Sequence, residues 1–313
     1  MTRLVVLGDV MVDVVCRLDG PIALGSDAPA RIEFGYGGSG ANVAAWAAVA
    51  RGAGAPPVVA GRIGADERGR AAEEELRATG VETRLAMDPE LPTGTCVVLV
   101  GPDGERSMVP DPGANDRLAE ADLPDDVLVE GAHLHLTGYT LVRDGSRAAC
   151  RAAITRARER RVSVSVDPSS AALLSPAFMN ELAEVGLLLP NAEEAAVLSG
   201  DGEAERAARA LAARVPEVVV TLGPEGALWT DGVSVCHVEA ERERAGPIGF
   251  GEGGAAARRA PNADVPLDTT GAGDAFAAGF LSARLSGADP EEALRAGCRL
   301  AAVAVGTPGA RPA

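Results

Sequence analysis

The sequence contains no lysine: all 29 of its basic residues are arginine. That absence removes several classes of chemistry. A Walker A loop needs its lysine on the phosphates, and protein kinases, Schiff-base aldolases and pyridoxal-phosphate enzymes each need a lysine of their own. Any phosphate chemistry in this chain must rest on backbone amides, helix N-termini, arginine or a metal ion. Cysteine and histidine are also sparse. Cys16, Cys96, Cys150, Cys236 and Cys298 are scattered, odd in number and form no CxxC pair, which suits a reducing compartment. His133, His135 and His237 lack zinc-ligand spacing. His133 and His135 alternate in AHLHL and would share one face of a strand, in a structural or surface role rather than as a metal site. Acids and glycine interrupt the apolar start MTRLVVLGDVMVDVV, so it reads as neither a signal peptide nor a membrane span, and a cytoplasmic location is expected.

Acidic residues number 45, which sets the formal charge at −16. A net acidic surface argues against nucleic acid or an anionic membrane as a general partner. With 313 residues, 47% hydrophobic, the chain can bury a substantial core in one large domain or two smaller ones. Short β-branched runs alternate with alanine-rich helical stretches. Strands are predicted over 4–7, 57–60, 131–136, 162–166, 185–189 and 217–222. Helices are predicted over 42–51, 68–79, 146–160, 193–198, 203–214, 274–286 and 290–305. The alternation predicts an α/β protein with a parallel sheet and helices on both faces. Residues 12–34 and 93–110 break the rhythm with extended segments that could form a small projecting β-sheet, a lid that excludes water from an active site, or be two long surface loops. Residues 241–263, rich in Gly, Ala and Arg without periodicity, read as a loop or insertion.

The most specific motif is DTTGAGDAF at Asp268. Gly271, Ala272 and Gly273 make a small-residue turn into a helix, and such a turn can aim several amides and the helix dipole at one anion. Asp274 stands at its mouth, where a carboxylate can take the proton from a hydroxyl attacking a γ-phosphate. The bland alternative is a helix cap beside a glycine turn. In GYGGSGAN, Gly35, Gly37 and Gly40 fit a dinucleotide fingerprint, but no acid closes the following strand. Glycines that admit a polyol, with Asn42 on its hydroxyls, fit better. Asp9 and Asp13 in GDVMVD could grip sugar hydroxyls or be ordinary turn acids. Asn191 and Glu194 could position a hydrated Mg²⁺ or simply cap a helix. Thr221, Gly223 and Gly226 in TLGPEG form a strand-to-turn element.

In order, GDVMVD, GGSGAN, GRIGADERG, PGAN, NAEE, TLGPEG and DTTGAGDAF span nearly the whole chain. Their combination resembles the ribokinase-like (PfkB) carbohydrate kinases. The resemblance implies a Rossmann-like αβα core over 1–12, 36–92 and 111–313 and a β-lid over 13–35 and 93–110. It also implies transfer of the ATP γ-phosphate to a primary hydroxyl of a sugar or sugar-like substrate. Asp274 would be the general base and the amides of Gly271, Ala272 and Gly273 the anion hole. Asp13, Gly38, Ser39 and Asn42 would meet the substrate. Asn191 and Glu194 would serve the Mg²⁺–phosphate region, and Thr221, Gly223 and Gly226 the nucleotide site. Asp268, Thr270, Ala304, Thr307 and Gly309 match positions that hold a monovalent cation, K⁺, in many relatives, and a homodimer through the lid is a further implication. Ser39, Met11 and Gly138 stand where ribokinase has lysine, asparagine and an acid. These changes point away from ribose and leave room for a larger sugar or a nucleoside. The alternatives are a nucleoside kinase acting on a ribose 5′-hydroxyl and a non-catalytic sugar- or nucleotide-binding regulator.

Overall fold

The structure, a computed structural model, describes residues 2–51, 54–103, 105–240, 270–307 and 309–312. The 241–263 stretch and Asp268 lie outside the described residues. The strands are β1 (Leu4–Leu7), β2 (Met11–Leu18), β3 (Ala30–Gly37), β4 (Val58–Gly64), β5 (Glu82–Asp88), β6 (Gly94–Val100), β7 (Arg106–Asp111), β8 (His133–Thr137), β9 (Ser163–Asp167), β10 (Leu187–Leu188), β11 (Glu217–Thr221), β12 (Ala227–Thr230) and β13 (Val235–Val238). The helices are α1 (Ser39–Arg51), α2 (Glu67–Ala78), α3 (Tyr139–Val142), α4 (Asp144–Glu159), α5 (Ala192–Ser199), α6 (Ala204–Ala212), α7 (Ala272–Leu285) and α8 (Pro290–Val305).

Nine strands form one sheet in the order β13-β12-β11-β10-β9-β8-β1-β4-β5. It is parallel from β11 to β5, and an antiparallel hairpin, β12–β13, closes one edge. Every residue of β1 is at most 1% exposed, because the strand is covered on both faces and has no solvated side. Val5 and Leu7 point into a core shared with α4, α5 and α6. Leu4 and Val6 point into the opposite core, built with Trp46 of α1, Leu76 of α2, Phe276 and Phe280 of α7 and Leu294 of α8. The αβα layering thus follows from the side-chain alternation of an all-apolar strand.

A second sheet of four strands, in the order β3-β2-β6-β7, stands apart from the first. Met11, Val15, Cys96 and Val98 make a small apolar surface on one of its faces. Ile32 and Phe34 lie on the other face of β3, 58% and 71% exposed. The predicted histidine pair is internal: His133 and His135 are at most 5% exposed. His133 bonds Ser163 and Ser165 at 2.7 Å each, and His135 bonds Ser165 at 2.8 Å. Burial holds both imidazoles neutral, pushing His133 down to about 4 and His135 to about 3.

Candidate active site

A cavity of about 480 Å³ opens between the carboxyl ends of the large sheet's strands and the inner face of the small sheet. This is where parallel α/β sheets place ligands. Its walls follow from local chemistry. Gly38 has φ +91°, and a Cβ there would stand 2.4 Å from the carbonyl oxygen of Asp9. Glycine therefore lets the start of α1 press against the β1–β2 turn. That contact places Ser39 and Asn42, one turn apart, on the cavity wall.

From the other side α7 follows its N-cap Gly271, whose φ of +76° is left-handed. A Cβ on Gly271 would stand 2.4 Å from the carbonyl oxygen of Ala310. The first turn of α7 leaves the amides of Ala272, Gly273 and Asp274 without intrahelical acceptors. A Cβ on Gly273 would meet nothing within 4 Å. Its absence serves no packing need and leaves a cradle at a helix N-terminus, open to the cavity.

Asp274 faces this space, half-buried. Ser39 Oγ donates to its Oδ1 at 2.6 Å, and Asn42 Nδ2 donates to its Oδ2 at 2.8 Å. Burial pushes the carboxyl up to about 6, against the pull of those two hydrogen bonds and of the Arg311 guanidinium. A carboxylate so poised is ionised at neutral pH yet basic enough to accept a proton.

Two further acids approach it. Glu194 is 3% exposed and forms a reciprocal capping box with Asn191, each backbone amide donating to the other side chain at 2.9 Å. The structure realises the helix cap, and both residues also line the cavity. Asp167 ends β9 and accepts the Ser169 amide at 2.8 Å. Burial, followed by the charges of Glu194 and Asp274, raises the Asp167 carboxyl well above its usual range. Tyr139 registers the same field: burial and the surrounding carboxylates push its hydroxyl up to about 12. Among the described residues no group of three or more His, Cys, Asp or Glu could cage a metal. Sparse carboxylates fit Mg²⁺, which keeps its waters and binds largely through substrate phosphates.

The small sheet contributes Asp13 and, around it, Met11, Cys96, Val98 and Met108. Burial, then the charge of Asp13, pushes the Cys96 thiol up to about 11. Asp9 is held by Arg143: Nη1 donates to Oδ2 at 2.8 Å and Nη2 to Oδ1. Gly138 packs against Pro168, whose carbonyl oxygen would lie 2.2 Å from a Cβ, so no side chain can enter the cavity from that position. Thr221 lines the cavity. Gly223 and Gly226, with φ +58° and +101°, shape the turn beyond it. Thr270 accepts a hydrogen bond from Arg106 of β7, which ties the small sheet to the turn before α7. Ala304 is buried, and its carbonyl accepts the Thr307 amide at 3.0 Å. Gly309 has φ +88°.

Asp167, Tyr139 and Arg143 line the cavity and Arg311 packs behind it, and the motifs include none of the four. Asp167 was within reach, because an acid closing the parallel strand SVSVD repeats the placement of Asp9 after β1. The others arise from tertiary packing alone.

The profile of the pfkB family of carbohydrate kinases matches residues 1–313. An ATP-dependent ribose-1-phosphate kinase from Halopiger xanaduensis is 31% identical over 318 residues, covering 100% of this chain and 95% of that protein. A fructokinase from Escherichia coli is 31% identical over 287 residues, covering 88% and 82%. Among solved structures, the adenosine kinase of Sinorhizobium meliloti aligns with TM-score 0.83 at 26% identity over 99% of this chain and 96% of that one. The ribokinase of Thermotoga maritima aligns with TM-score 0.79 at 25% identity over 99% and 95%.

Proposed function

The chain belongs to the pfkB family of carbohydrate kinases, and from that premise we propose that it transfers the γ-phosphoryl group of ATP to a primary hydroxyl of a sugar or sugar-like acceptor, with Asp274 as general base. The observation that carries this reading is the pairing of Asp274, held at 2.6 Å and 2.8 Å by Ser39 and Asn42, with the open amide cradle at Gly273. The acceptor hydroxyl gives its proton to Asp274 as its oxygen bonds to the γ-phosphorus, and the bond from that phosphorus to the ADP oxygen breaks. The amides of Ala272 and Gly273, beside the left-handed Gly271, take the charge that builds on the transferring group. Asn191, Glu194 and Asp167 would serve the Mg²⁺ of the ATP phosphates, and Mg²⁺ when bound would neutralise phosphate charge. Thr221, with the turn at Gly223 and Gly226, borders the nucleotide. The carbonyls near Thr270, Ala304, Thr307 and Gly309 would hold K⁺, and its test is ATP turnover in K⁺ against Na⁺ salts.

Asp13, Gly38 and Asn42 hold the acceptor. Arg143 is the one cation among the described lining residues, and both its Nη groups are on Asp9. That engagement favours a neutral acceptor over a sugar phosphate. The apolar surface of Met11, Cys96, Val98 and Met108 favours a nucleoside as the second reading, because a base can lie against it. The small sheet acts as the lid, 13–35 and 93–110 around a core of 1–12, 36–92 and 111–313, and its exposed Ile32 and Phe34 are the surface through which a homodimer would form. The five free cysteines fit a cytoplasmic setting.

The test is acceptor-dependent ADP release with Mg²⁺ across free pentoses, hexoses, keto-acid sugars, nucleosides and sugar phosphates. Turnover on a neutral sugar or nucleoside supports the reading. Silence from a folded protein across the panel would favour a binding protein that kept the fold.

A further inference from the structure

A buried arginine near the base lies outside every motif. Arg311 is 6% exposed. Its Nε donates to Asn42 Oδ1 at 3.1 Å, its Nη2 donates to the Gly37 carbonyl at 2.6 Å, and its Nη1 pairs with Glu75 of α2. Its Cζ lies 6.0 Å from the ring centroid of Tyr36, at the limit of a cation–π contact. The chain before it is anchored as well. Trp46 Nε1 donates to the Ala310 carbonyl at 3.0 Å, the same carbonyl that occupies the space of the missing Gly271 Cβ.

These contacts decide the orientation of Asn42. A side-chain amide has one accepting and one donating end, and a guanidinium only donates. With Oδ1 turned to Arg311, only Nδ2 can face Asp274, as the 2.8 Å bond records. The opposite rotamer would set N–H against N–H at one end and oxygen against carboxylate at the other. The Gly37 carbonyl begins the turn that carries Gly38 and Ser39, so the same guanidinium also anchors the second donor to the base. We infer that Arg311 is a positioning residue for phosphoryl transfer: it fixes the Asn42 amide and the turn at 37–39 so that Asp274 is held ionised and aimed at the acceptor hydroxyl. This rests on the reading of Asp274 as the base.

Among the described residues, several titratable groups face the pair. Glu75 on α2, Asp13 on β2 and Asp274 on α7 act on Arg311. Asp167 on β9 and Tyr139 on α3 share the field of Asp274. Removing the guanidinium leaves that carboxylate with less support, so its ionisation moves to higher pH.

The experiment compares the pH dependence of kcat/KM for the acceptor in wild type, R311M and R311K, with D274N alongside. In R311M the acid limb moves up by about one pH unit, with activity recovering above pH 8 and KM for ATP changing by less than about twofold. R311K keeps a charge but not the fork, and falls between. If R311M is poorly folded because Glu75 is stranded, R311M/E75Q removes that carboxylate and carries the same prediction. A folded R311M with the wild-type profile overturns the inference, as does a loss equal at every pH with a lowered Tm, which marks a structural role only. Near-normal turnover by D274N would instead overturn the base itself. An inactive D274N beside an unshifted R311M overturns the positioning role alone.

Discussion

Replacing Gly273 with alanine separates stability from function, because the two should move in opposite directions. Gly273 lies in the first turn of α7, and a Cβ there meets no atom within 4 Å. The protein itself does not oppose the extra carbon, and alanine in place of glycine in a helix stabilises by about 0.5–1 kcal/mol. For a chain of this size that is about 1 °C in Tm. The new methyl group, however, projects into the amide cradle. A phosphoryl group displaced by about 1 Å from its donors loses about 10²-fold in rate. Scanning calorimetry and steady-state ADP release on the same preparations measure both. A G273A enzyme at least as stable as wild type and about a hundredfold slower is the expected result. Wild-type turnover would refute the placement of the transferring group at this turn, and a destabilised protein would refute the claim that the space is free.

Three further perturbations have directions that the geometry sets. S39A removes the 2.6 Å donor on Asp274 Oδ1, and losing a hydrogen bond to a charged group should raise the acid limb of kcat/KM by about one pH unit; an unmoved limb would exclude Ser39 from supporting the base. D274N should stabilise the fold at alkaline pH. The folded carboxyl releases its proton near 6 rather than the usual 3.8, so wild type is undiminished below pH 4, weakens between the two values, and carries the full deficit above 6. That deficit is at most about 3 kcal/mol and nearer 1–2 for a half-buried group; equal Tm differences at pH 4 and pH 8 would contradict it. The buried histidines run the other way. With folded values of about 4 and about 3, they cost nothing above pH 6.5, and their penalty grows as pH falls below it, to about 2 kcal/mol each at pH 5. Imidazole resonances of His133 and His135 should stay neutral down to about pH 5, and titration near 6.5 would show that they are not buried as described.

The parallel core was legible in sequence because its strands are covered on both faces and read as unbroken apolar runs, as in LVVL at Leu4–Leu7. The start of α1 was less legible. The helix begins at Ser39, ahead of the predicted 42, although glycine at position 40 is a poor helix former. A Cβ on Gly40 would lie 2.6 Å from the Cα of Gly8, so tight packing against β1 overrides propensity. Strand β5 was missed because ETRLAMD is charged and half-exposed, and it becomes a strand only by pairing with β4. The β12–β13 hairpin was missed although Asp231–Gly232 is a turn signal between two short strands. At the site, the glycine turns and Asp274 could be read locally. Arg311 could not, because its partner Asn42 is 269 positions away, and no spacing rule spans that distance.

The most direct test of the account is ADP release by D274N beside wild type at pH 8, with ATP, Mg²⁺ and whichever acceptor the panel identifies. Asparagine keeps the shape, its amide oxygen accepting from Asn42 and its NH2 donating to the Ser39 hydroxyl, but it cannot take a proton. A loss of at least about 10²-fold in kcat, with ATP binding and fold intact, is the predicted result. Turnover near that of wild type would show that Asp274 is not the base and would contradict the proposed mechanism at its centre.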